Sequence, residues 1–263
     1  MAKYKRPFTD ILQDVIDNMN VNIQILSVTD NTNGVQTISC CDIFYSQKGF
    51  DVTINDLSYK IIDFSQANET LTLKANFTGA YLLTVGTIFT LYKLHFFYGT
   101  PISAQSELNL IKKAELKTPM IYLWENYKEK FYAQDIIERK TSGVQLYALT
   151  QPPKDLMKML RKDIQSECVN PMRRAIDCFY EEIQDRCDIF SADDLEYDTE
   201  EFARFGIVAR NAGAQKSVMM DKLSGVAGYS DLELFYKDEC ECPAILITQG
   251  IGSDIIGSTL IVY

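Results

Sequence analysis

Apolar positions follow two rhythms along this chain. Over residues 8–19, Phe8, Ile11, Leu12, Val15, Ile16 and Met19 recur at helical spacing, which predicts an amphipathic helix capped by Thr9 or Asp10. Over residues 22–98 the period falls to two. Ile23, Ile25 and Val28 run into the turn-forming DNTNG, and residues 35–44 read as the next strand. In FDVTINDLSYKIID, Val52 and Ile54 alternate up to Asn55 and Asp56, and Tyr59 and Ile61 resume the pattern, a hairpin signature. ETLTLKANF alternates through Leu71, Leu73, Ala75 and Phe77. TIFTLYKLHFFYG predicts one long strand with Phe89, Leu91, Lys93 and His95 on one side. Short strands at this close spacing predict a small antiparallel β-barrel or sandwich.

Past Gly99, Thr100 and Pro101 the pattern changes. Ser103 is the expected cap of a short helix through Ala114, and residues 117–119 break the chain before PMIYLWENY, a strand or short helix. FYAQDIIER and GVQLYALT read as two strands around a turn at Thr141, Ser142 and Gly143. After Pro152 and Pro153, a stripe of Leu156, Leu160, Ile164, Cys168, Met172, Ile176, Phe179 and Ile183 predicts one long helix, kinked at Pro171. The acidic residues 188–201 read as an exposed loop, and residues 206–228 are rich in Gly, Ala, Ser and Asn. Strand patterns return over residues 229–237 and 244–263. The fold class is therefore α+β in two parts. Residues 1–100 are an N-terminal helix plus a small antiparallel barrel or sandwich. Residues 101–263 are an α+β domain with a long helix packed on a mostly antiparallel sheet.

Composition narrows the function classes. A net charge of −10 lacks the clustered Lys and Arg that nucleic-acid or anionic-membrane binding requires. The apolar stretches at 81–98 and 244–263 are interrupted by Gly, Thr, Lys, His or Asp, so neither predicts a membrane span, and residues 1–20 lack a secretory-signal pattern. Seven irregularly spaced cysteines fit reduced thiols in a cytoplasm.

His95, the single histidine, sits between Leu94 and Phe96 in an apolar strand with no paired Ser or Cys, so a packed or interface role is expected. CECP at Cys240 and Cys242 has C-x-C spacing without a second cluster, and adjacent Cys40 and Cys41 would point to opposite faces of a strand. NAGAQKSVM around Lys216 and Ser217 lacks the glycines of a phosphate loop. In a calcium-loop alignment of Asp194, Glu196 and Asp198, Thr199 stands at the Gly position and Phe205 at the bidentate Glu position. Glu181 and Glu182 are adjacent on a helix and do not converge. No catalytic, cofactor-binding or metal-binding residue is nominated, and a non-enzymatic protein is expected. The 15 Tyr and 14 Phe suit both a core and large subunit interfaces.

HFFYGTPISAQSEL, TPMIYLWE, GVQLYAL and DKLSGV, in this order around a long helix, form a further pattern. With these phrases, residues 118–263 resemble neck and tail-completion proteins of tailed bacteriophages, especially those infecting Bacteroidota. The resemblance implies a homo-oligomeric ring in the virion neck or tail, a head-to-tail connector or tail terminator assembled in the host cytoplasm. Its partners would be copies of itself and portal, connector or tail proteins, with DNA passing an acidic lumen without sequence-specific binding and with no membrane. In that reading the helix of residues 155–187 packs on a sheet built from strands near 144–149 and 232–236. The front β-domain and residues 188–219 meet neighbours. The alternative is a β-barrel binding module recognising a host receptor or glycan through exposed Tyr and Trp124. An enzyme using carboxylates or Cys240 and Cys242 ranks last.

Overall fold

The computed structural model describes residues 6–31, 34–77, 82–111, 117–132, 137–151, 158–186, 188–191, 195–205, 207–209, 215–217 and 223–235. Helix α1 (Phe8–Asn18) buries all six apolar positions read from the sequence, Met19 lying just past its end. Each such burial contributes about 1.5–3 kcal/mol, which offsets the entropy of ordering the segment. Its start differs from expectation. Pro7 occupies the N-cap with no side-chain capping bond, because a proline fixes the entry φ and has no N–H to satisfy.

The first sheet contains β1 (Asn22–Asp30), β2 (Val35–Cys40), β3 (Asp51–Ile54), β4 (Leu57–Ser65), β5 (Thr70–Ala75) and β6 (Ile88–Thr90). Their order is β3-β4-β5-β2-β1-β6, every pair antiparallel, with β3 brought against β6 so that the sheet nearly closes on itself. The β3–β4 hairpin turns at Asn55 and Asp56, both left-handed (φ 51° and 63°), as the Asn-Asp pair predicts. Alternation fills the interior with Ile23, Ile25, Ile38, Val52, Ile54, Ile61, Leu71, Leu73 and Phe89.

The long strand expected over residues 87–99 is two strands in different sheets. β6 pairs with β1, whereas β7 (His95–Gly99) lies parallel to β8 (Met120–Trp124) in the second sheet. The break comes where Leu91 and Leu94 are both buried while Lys93 is exposed, reaching the Asp17 carbonyl with its ammonium. A spacing of three cannot stay on one face of a strand. Thus β7, which precedes the division drawn at residue 100, is a strand of the second sheet.

That sheet adds β9 (Lys128–Phe131), β10 (Ile137–Thr150), β11 (Tyr197–Phe205) and β14 (Leu223–Phe235) in the order β11-β14-β10-β8-β7, with β9 also on β10. A small hairpin, β12 (Ile207–Ala209) with β13 (Gln215–Ser217), stands apart. Two expectations change here. The turn at Thr141 to Gly143 is a bulge inside the continuous β10: the register slips between Thr141 and Val144 with Gly143 at φ 71°. The acidic loop is in part the edge strand β11. One face of an edge strand meets water, so its carboxylates hid the alternation.

Helix α2 (Pro101–Leu110) follows β7 and is capped by Thr100, whose hydroxyl accepts from Ser103 N–H, with Ser103 one turn inside the helix. The long helix comprises α3 (Arg161–Ile164), a π turn (Gln165–Val169) and α4 (Asn170–Asp185). Leu160 is an exposed cap residue, and Leu156 and Cys187 lie outside the described residues. Pro171 has no N–H to offer Glu167, and the π turn just before it lets Asn170 N–H bond Gln165 O instead. Ile164, Cys168, Met172, Ile176, Phe179 and Ile183 are all buried, and α4 packs on β10 and β14. α1, the first sheet, α4 and one face of the second sheet share a single continuous core.

Tyr180 stacks on Tyr197 with ring centroids 4.0 Å apart and donates to Ser230 Oγ at 2.9 Å. Tyr180→Phe removes that bond and leaves the Ser230 hydroxyl buried. Chemical denaturation should show a loss of about 1–2 kcal/mol with an unchanged m value.

Candidate functional site

The second sheet has two unlike faces. Val144, Leu146, Ala148, Ile121, Leu123, Val226 and Leu232 point to the main core beneath α4. The alternate residues Met120, Tyr122, Tyr147, Leu149, Leu223 and Ala227 form a smaller cluster on the other side. α2 covers part of it through Ala104 and Leu108, and around it Phe97, Trp124, Phe202, Phe205 and Tyr229 are only half-buried. Tyr147 is the hub. Its ring lies 4.9 Å from Phe205, 5.9 Å from Phe202 and 6.5 Å from Trp124. Burial pushes the phenols of Tyr122 and Tyr147 up, so both stay neutral at physiological pH.

A cleft of about 740 Å³ opens where β11 begins, lined by Gly143, Leu195, Glu196, Tyr197, Asp198, Tyr229, Ser230 and Asp231. The β10 bulge makes room for it: Gly143 N–H donates to Asp231 at 2.8 Å, which fixes that carboxylate at the rim. Glu196 and Asp198 are exposed, and Tyr229 donates its hydroxyl to Glu200 at 2.9 Å. With three carboxylates and no lysine or arginine in its lining, the cleft attracts cationic groups.

A second cleft, about 370 Å³, runs between the first sheet and the π turn, lined among others by Lys48, Asp63, Ser166, Glu167 and Asn170. Beside it Thr150 donates to Gln47 Oε1 at 2.7 Å, while Gln47 Nε2, Ser46 Oγ and Glu167 Oε2 are buried without hydrogen-bond partners among the described residues. Arg174 of α4 bonds Asp42 in the loop after β2 at 2.9 Å and Asp177 of its own helix at 3.2 Å.

No family model, curated protein or solved structure matches the chain. The residues weighed for chemistry are scattered. His95 begins β7 at the sheet edge, half-buried; Glu182 pairs with Arg186, and Glu181 lies 4.0 Å from Arg174. Lys216 and Ser217 are on β13, while Asp194, Cys240 and Cys242 lie outside the described residues. Among the described residues no group of three His, Cys, Asp or Glu could hold a metal ion, and no helix is long and apolar enough to cross a membrane. The acidic cleft is not legible in the sequence, because the carboxylates of β11 mask its strand alternation.

Cys40 closes β2 and is buried, whereas Cys41 lies just past the strand and is exposed. Burial pushes the thiols of Cys40, Cys168 and Cys178 up to about 12. Since the thiolate is the nucleophile, alkylation of the native chain at pH 8 followed by peptide mass analysis should modify Cys41 at least about 10-fold faster than those three. Denaturant should abolish the difference.

Proposed function

We propose that this chain is a structural subunit of the neck or tail of a tailed phage, assembling with its own copies into a ring around the DNA channel. One observation carries the reading. The phrases on which the phage resemblance rests, although far apart in sequence, fall on hydrogen-bonded neighbours: PMIYLWE contains β8, GVQLYAL lies in β10 and LSGV opens β14. Together they make the centre of one sheet, which supports reading them as parts of one unit. The aromatics that stay half-buried on the side away from α4 add support, since Tyr, Trp and Phe enrich subunit contacts.

Such a ring contacts DNA through a lumen that must let it slide, and a chain of net charge −10 suits repulsion over capture. Light scattering of the purified full chain over a range of concentrations tests the proposal. A mass that is a fixed multiple of the 30.0 kDa chain is expected. A monomer at every concentration, and in the presence of portal and tail proteins, would overturn it.

A further inference from the structure

The second sheet ends on two strands of opposite character. Among the described residues β9 pairs only with β10, and all four of its residues are exposed, including Phe131 at 47%. Among the described residues β11 pairs only with β14. Each strand therefore presents a second row of backbone donors and acceptors that no described strand takes up, of the kind another strand can extend.

Charge distinguishes the two edges, and the side-chain faces match. In β9 the register sets Lys130 opposite Lys140 and Lys128 opposite Ser142. Lys140 in turn sits opposite Glu233, which has the parity of Tyr229, so both β9 lysines are on the aromatic side of the sheet. In β11, Asp198 is opposite Tyr229 and Glu200 opposite Ala227, placing these carboxylates on that same side. Glu196 joins Asp198 in the acidic cleft. Among the described residues neither Lys128 nor Asp198 has an ion-pair partner.

We propose that copies of this chain join head to tail through these edges, with β9 of one copy extending the sheet beyond β11 of the next. Lys128 and Lys130 then enter the field of Glu196, Asp198 and Asp231 around the cleft. The inference rests on the homo-oligomeric reading above and names its interface.

Strand direction permits the join. β10 is antiparallel to both β9 and β14, and β14 is antiparallel to β11, so β11 runs with β10 and against β9. A sheet continued from β9 to the neighbour's β11 keeps antiparallel alternation and keeps each face on its own side. The copies are staggered along the strands, because β9 is level with Arg139 to Ser142 of β10 whereas β11 is level with Val144 to Thr150.

Charge also selects against wrong pairings. Two β9 edges bring lysines together and two β11 edges bring carboxylates together, so only the unlike pairing is favoured. An interface between unlike edges is heterologous, and sheet twist turns each step, which gives a ring when the rotation closes.

The test uses two double variants of the full chain, Lys128→Glu with Lys130→Glu, and Glu196→Lys with Asp198→Lys. All four positions are exposed, so circular dichroism and the melting temperature should match the parent. Light scattering should show that each variant alone needs at least about 10-fold more protein to assemble. The equimolar mixture should assemble at the parent concentration, because every junction between unlike variants restores opposite charges. If the parent assembles and either variant does so equally well, or the mixture fails to recover, this interface is wrong while the ring reading stands. A parent that is monomeric throughout overturns both.

Discussion

A Gly225→Val chain should lose more than about 3 kcal/mol of stability in chemical denaturation, enough to leave much of it unfolded at 37 °C. Gly225 lies in β14, in register with Leu149 of β10. A Cβ built there would stand 1.8 Å from the Ala148 carbonyl oxygen and 3.1 Å from the Leu149 Cα. Both are backbone atoms, so no rotamer change relieves the clash, and the two central strands must separate to admit it. Gly228, three residues on, meets instead the Tyr180 ring at 2.9 Å and the Ile176 side chain at 3.3 Å. Side chains can yield where backbone cannot, so Gly228→Ala should cost less than Gly225→Ala in the same experiment.

Arg139→Ala should cost about 3 kcal/mol, the second largest effect expected of a single substitution here. The side chain is 4% exposed in β10, where its guanidinium bonds Glu129 of β9 at 2.8 Å. It also lies over the rings of Phe8 in α1 and Phe131 in β9. One residue thus joins the N-terminal helix, the sheet edge and the core. Its removal opens a cavity beneath Phe8 and strips Glu129 of its counter-charge. Because Glu129 is 28% exposed, water recovers part of the loss, which puts the value at the low end for broken buried pairs. Arg139→Met keeps the volume and should recover about half of the deficit.

The helices and the antiparallel character were legible in the sequence because burial there is local and periodic. Six residues at helical spacing predicted α1, and six of the eight positions in the later stripe face the core from the π turn and its flanking helices. Asn55 and Asp56 announced their turn because their side chains tolerate a left-handed backbone.

What went unread depends on partners distant in sequence. Nothing local tells that Phe89 serves one sheet and Phe97 another, since that is decided by β1 and β8. Gly143 looks like a turn residue, and only β14 running past it shows a bulge. The acidic cleft needs β11, the bulge and Asp231 together, which sequence separates by 88 residues between Gly143 and Asp231.

Assembly is the claim on which the functional account stands. Electron cryomicroscopy of the purified full chain tests it most directly. Closed rings with a central opening are expected, each subunit continuing its second sheet into the next. Particles that remain single 30.0 kDa subunits at every concentration would contradict it.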